Sequence, residues 1–77
     1  MTITVRFFAS LREELGNAET EISSQAGLTV TKVWEQATNN HPLPANMLSA
    51  VNQEYADFSH QVQDGDEVAF FPPVTGG

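Results

Sequence analysis

The sequence predicts an α+β domain in which a small mixed sheet is crossed by one main helix, with a short helix after the first strand. Three observations lead there. Residues 2–8 alternate between apolar and polar side chains, residues 30–37 carry apolar side chains at helical spacing, and residues 67–71 return to alternation near the end of the chain.

The first strand places Ile3, Val5 and Phe7 on one face and Thr2, Thr4, Arg6 and Phe8 on the other. Phe8 is an aromatic on the polar face. Ser10-Leu11-Arg12-Glu13 then reads as a capping box, with the Ser10 hydroxyl accepting from the backbone and Glu13 reaching back. Leu11 and Leu15 lie one turn apart and Gly16 is a helix terminator, which limits this helix to one or two turns. Glu19 to Ser23 alternates weakly and returns as a second strand. Val30, Val33, Trp34 and Ala37 define the buried stripe of the main helix, with Thr29 as its N-cap. Trp34 on that stripe reads as core, packing the helix onto the sheet. Asn39-Asn40-His41-Pro42 ends the helix, because the residue before a proline avoids helical angles. Met47–Val51 and Asn52–Ala56 read as short extended pieces, Asp64-Gly65-Asp66 as a turn, and Glu67–Phe71 as the last strand.

This order fits a β-grasp (ubiquitin-like) arrangement with the first and last strands near each other. A ferredoxin-like sandwich is the alternative, but it wants a second full-length helix that the stretch from Met47 to His60 supports poorly. Residues 1–73 are read as one domain and residues 74–77 as a projecting tail. With Val68 and Phe70 in the core, Phe71 faces outward as Phe8 does. Two outward aromatics on adjacent strands, beside Pro72, form an apolar patch of the kind that marks a partner site.

Ten acidic residues oppose three basic ones, for a net charge of −7. Such a surface repels nucleic acid and anionic membranes and favours a basic protein partner. No basic stretch followed by an apolar run marks a signal peptide, and no segment has membrane-span length, so the cytoplasm is expected. The chain has no cysteine, which excludes disulfides, thiolate metal sites and an internal cysteine nucleophile. Any sulfur handled here must be carried on something other than a side-chain thiol. His41 and His60 sit in polar turns and read as surface residues. Asp64, Asp66 and Glu67 lack the pattern of a calcium loop and read as turn residues. No cofactor or metal is expected on this chain, and its side chains are not expected to do chemistry.

The C-terminal segment differs. Pro72-Pro73 stops the last strand and stiffens its exit, and Val74-Thr75-Gly76-Gly77 continues as a short arm. Gly76 and Gly77 lack Cβ atoms and can thread a narrow channel. The α-carboxylate of Gly77, with a reference pKa of about 3.3–3.7, is ionised and unreactive until activated as a mixed anhydride.

Residues 64–77, Asp64-Gly65-Asp66-Glu67-Val68-Ala69-Phe70-Phe71-Pro72-Pro73-Val74-Thr75-Gly76-Gly77, resemble the C-terminal signature of the MoaD-type sulfur carriers, the small subunits of molybdopterin synthase. Val5-Arg6-Phe7-Phe8-Ala9-Ser10-Leu11-Arg12-Glu13 and Ala50-Val51-Asn52-Gln53-Glu54-Tyr55 resemble the same family. The resemblance implies the β-grasp fold and an E1-like, MoeB-type enzyme that adenylates Gly77 with ATP and magnesium, after which sulfur is installed as a thiocarboxylate. It implies a MoaE-type large subunit whose active site receives the tail, two small and two large subunits together, and transfer of sulfur to cyclic pyranopterin monophosphate. Phe8, Arg12 and Phe71 match partner-facing positions, with Pro72, Pro73, Val74 and Thr75 completing the interface. The chain ends at Gly77, so no processing is expected. A carrier for thiamine or another sulfur pathway, a ubiquitin-like modifier of lysines, and a docking module with an inert tail are the competing readings.

Overall fold

The computed structural model describes residues 2–43 and 46–72. β1 (Thr2–Phe7) pairs antiparallel with β2 (Glu19–Ser23), and the short helix α1 (Ser10–Leu15) lies between them in sequence. The main helix α2 (Val30–Thr38) follows, then β3 (Leu48–Val51), β4 (Glu54–Tyr55) and β5 (Glu67–Phe71). The five strands form one sheet in the order β2-β1-β5-β3-β4. β5 runs parallel to β1 and antiparallel to β3. The first and last strands are therefore hydrogen-bonded neighbours at the centre of a mixed sheet, which is the β-grasp arrangement. The ferredoxin-like alternative fails because the stretch around residues 48–55 forms two strands rather than a helix.

Alternation assigns the faces. Ile3, Val5, Phe7, Val68 and Phe70 are buried under α2, which contributes Val30, Val33 and Trp34 to the same core. Trp34 is 1% exposed and meets Phe70 edge-on at 5.1 Å between ring centroids and Phe7 at 6.1 Å. Its Nε1–H donates to the His41 carbonyl at 2.7 Å, so the indole is buried without an unpaired donor. Thr29 caps α2, accepting from the Lys32 N–H at 3.3 Å, and Asn39 ends it in the left-handed region at φ 57°. Gly16 ends α1 in the same region at φ 77°. The turn before β5 is closed by Asp66, whose carboxylate accepts from the Gln63 N–H at 2.8 Å and from Asn52 Nδ2 at 3.0 Å. The inner face also contains Ser49, whose hydroxyl donates to the Ala56 carbonyl at 2.6 Å.

One local expectation fails. Ser10 and Glu13 form no capping box: Ala9 is the N-cap, at φ 56° and ψ −132°, with no side-chain cap bond. The cause is the tightness of the strand-to-helix turn. The Phe8 N–H still donates to Phe70 on β5 at 3.1 Å, while the Phe8 carbonyl already accepts from Leu11 at 3.2 Å. A single residue therefore makes the turn, Ala9 takes a left-handed φ, and Ser10 becomes the first helical residue rather than the cap. Among the described residues, no helix is long and apolar enough to cross a membrane.

Candidate functional site on the outer face of the sheet

The face of the sheet opposite α2 carries the side chains that strand alternation turned away from the core. Strand register arranges them in rows. Phe71 sits opposite Leu48 on β3, and Phe8 follows Phe7, the partner of Phe70, so Phe8, Phe71 and Leu48 cross three strands side by side. The Phe8 and Phe71 ring centroids are 5.6 Å apart. Phe8 is 41% exposed and Phe71 half-buried, as their outward alternation predicts. The backbone fixes this display, because Phe8 is tied to β5 through its N–H and to α1 through its carbonyl.

The next row runs Glu19, Arg6, Ala69, Ala50, Tyr55 across all five strands. Two alanines in its middle leave a hollow of about 370 Å³. Because the alanines are small, Tyr55 on the edge strand reaches over them and meets Phe71 edge-on at 6.0 Å. Tyr55 is 78% exposed and is the largest apolar surface that the sequence reading did not single out. The extended piece expected over Asn52–Ala56 is shorter in the structure: Asn52-Gln53 form a two-residue hairpin connection, β4 holds only Glu54 and Tyr55, and its register places Tyr55 opposite Ala50 and on the face of Phe71. At the other end of the hollow, Arg6 bonds Glu67 through Nε at 3.1 Å and Glu19 through a terminal nitrogen at 3.4 Å. The outer face is thus half aromatic and half a cross-strand charge network.

The other sequence-predicted residues divide. Arg12 lies exposed in the last turn of α1 and makes no ion pair among the described residues. Pro72 is half-buried directly after β5. Pro73, Val74, Thr75, Gly76 and Gly77 lie outside the described residues. The histidines are accounted for structurally: His41 Nε2 is 3.7 Å from Glu14, its carbonyl holds Trp34, and the carbonyl of the exposed His60 accepts from the Val30 N–H. Among the described residues, no three His, Cys, Asp or Glu side chains group as a metal site. The Asp57 carboxyl is held below its ordinary value by hydrogen bonds from the Ser59 hydroxyl and then the Ser59 N–H. These bonds close a local turn.

With this geometry, comparison with known proteins is specific. The ThiS family matches residues 5–77. The molybdopterin synthase sulfur carrier subunit of Escherichia coli (strain K12) is 40% identical over 84 residues, covering 97% of this chain and 99% of that protein. Among solved structures, SAMP1 (small archaeal modifier protein 1) from Haloferax volcanii superposes with a TM-score of 0.85 at 25% identity, each chain covered completely. A complex of subunits 1 and 2 of the molybdopterin-converting factor from Helicobacter pylori contains a similar fold, with a TM-score of 0.64, 23% identity and both chains covered completely. The family match spans nearly the whole chain, including both Phe8 and Phe71, and on that ground the chain belongs to the ThiS family.

Proposed function

We propose that this chain is the sulfur carrier subunit of a molybdopterin synthase, and that its cargo is a thiocarboxylate on Gly77. Activation starts at the Gly77 carboxylate, which attacks the α-phosphorus of ATP on an E1-like adenylating enzyme, with magnesium, and displaces pyrophosphate. The resulting acyl-adenylate is a strong electrophile. A hydrosulfide equivalent attacks its carbonyl carbon, AMP leaves, and a carbon–sulfur bond replaces a carbon–oxygen bond. The loaded carrier then docks on a large subunit, two of each chain assembling together, and gives its sulfur to cyclic pyranopterin monophosphate. ATP and magnesium belong to the adenylating partner, and the cytoplasm supplies both the nucleotide and reduced sulfur.

The observation that carries this reading is the position of Phe71. It is the last residue of β5 and a member of the aromatic face, so a partner seated on Phe8, Phe71 and Tyr55 lies beside the point where the chain leaves the sheet. Docking and delivery are thereby linked: a rigid apolar patch anchors the partner and the residues after Pro72 carry the reactive end. The full-length relative named as a sulfur carrier supports the chemistry assigned to Gly77. The absence of cysteine supports it too, leaving no side-chain thiol to hold sulfur.

The test is the intact mass of the chain after incubation with an adenylating enzyme, ATP, magnesium and a sulfur source. Exchange of one oxygen for sulfur at Gly77 is expected, with no exchange in a chain lacking Gly77 that folds normally. No exchange in the intact chain under conditions that load the E. coli relative would overturn the reading. The structural likeness to an archaeal modifier protein favours a second reading, attachment of Gly77 to a lysine, and the same mass experiment with added protein extract separates the two.

A further inference from the structure

The β3–β4 connection contains two successive residues in the left-handed region, Asn52 at φ 52° and Gln53 at φ 71°. A two-residue hairpin turn of this kind demands positive φ at both positions and favours glycine, above all at the second. Asn52 has a structural reason to be there. Asparagine tolerates the left-handed region, and this one accepts from the Glu67 N–H at 3.0 Å while donating to Asp66 at 3.0 Å, which ties the turn to β5. Gln53 has no such reason. It is a long side chain in a conformation suited to glycine, and it lines the hollow between Tyr55, Phe71 and Glu67. Non-glycine residues held at such angles cluster at ligand-binding and partner sites.

Resting on the reading that the outer face docks a protein partner, we propose that this hollow receives an arginine side chain of that partner, with Gln53 and Glu67 as its readers. Tyr55 and Phe71 offer aromatic surface on which a guanidinium stacks, and Ala50 and Ala69 leave room for its alkyl stem. The polar groups bordering the hollow are the Gln53 amide, the Glu67 carboxylate and Arg6. Arg6 is one cation between two carboxylates and engages Glu67 through Oε2, so Glu67 Oε1 is the oxygen that can accept from a further cation. The net charge of −7 points the same way. An aliphatic occupant would strip water from Gln53 and Glu67 without replacing its hydrogen bonds. An acidic occupant would meet Glu67. A guanidinium satisfies both acceptors and both rings at once.

The experiment is an amide NMR titration of the full chain with N-acetyl-arginine amide, N-acetyl-lysine amide and N-acetyl-leucine amide. Expected are saturable shifts confined to the Gln53 side-chain amide and to the Tyr55 and Ala69 backbone, strongest with the arginine compound. Gln53→Gly suits the left-handed backbone and so should fold with a raised thermal midpoint, yet bind the arginine compound roughly fivefold more weakly, the loss of one hydrogen bond. Glu67→Gln should weaken it as well. Equal response to the leucine compound, shifts spread over the acidic surface, or unchanged arginine binding in Gln53→Gly would each overturn the inference. Sulfur loading of Gly77 is read separately by mass. Failure there sinks the carrier function while leaving the arginine titration as it stands.

Discussion

Phe7 and Phe8 are neighbours in sequence, as are Phe70 and Phe71, yet each pair is split between two environments. Phe7 and Phe70 are 2% and 0% exposed and stack on each other at 6.2 Å beneath Trp34. Phe8 and Phe71 contact each other at 5.6 Å on the opposite face, open to solvent. The same residue type, on the same two strands, is core on one face and solvent-facing on the other. Pleating makes this possible, since successive side chains point to opposite sides and one residue of register decides which. The inner face is close-packed by a helix. The outer face has aromatic walls, an alanine floor and a charge network, with no helix over it among the described residues.

The comparison breaks most visibly through its core member. Phe70→Ala should destabilise the fold by about 3–5 kcal/mol, as removal of a fully buried ring does, and urea unfolding measures it. Phe71→Ala should do the reverse: stability changing by about 1 kcal/mol or less, and partner affinity falling roughly tenfold or more in titration calorimetry. If Phe71→Ala melted the protein as Phe70→Ala does, the two faces would not be functionally distinct. Trp34→Phe keeps most of the packing but removes the donor to the His41 carbonyl, so a loss of about 1–2 kcal/mol is expected, again from denaturant unfolding. Gln53→Gly should gain about 1 kcal/mol by relieving a left-handed side-chain residue, visible as a higher melting temperature. The smallest effect concerns Asp57. Its folded pKa is depressed, chiefly by the Ser59 hydroxyl, so its ionised form favours the fold above the ordinary value of 3.8 and this contribution disappears as pH falls through the folded value. Ser59→Ala should move the Asp57 titration upward toward 3.8, followed by carbonyl NMR below about pH 5, with partner binding at neutral pH unchanged.

Most of the fold was legible because its signals are local and periodic. The last strand, the main helix with its Thr29 cap, and the outward direction of Phe8 and Phe71 all follow from alternation or helical spacing over a few residues. The start of α1 was not legible, and the capping box expected at Ser10 does not form. Its pattern is correct for an isolated helix, but the hydrogen bond from Phe8 to Phe70 holds the preceding residue in the sheet and shifts the helix start. That bond joins residues at opposite ends of the chain, where no local pattern can report it. Tyr55 was missed for a related reason: on a two-residue strand it has no alternation of its own, and only its pairing with Ala50 assigns its face.

The division is therefore between what one segment encodes and what two segments make together. By itself the sequence determined the elements, the acidic surface, the lack of any thiol and the resemblance that the family match confirms. Tertiary structure decided that β5 lies between β1 and β3, and with it the row that sets Arg6, Ala69, Ala50 and Tyr55 side by side. The hollow on the outer face is floored by the alanines of that row. It depends on strand register, which is fixed by burying the opposite face, so the core that hides Phe7 and Phe70 also builds the surface that displays Phe8 and Phe71.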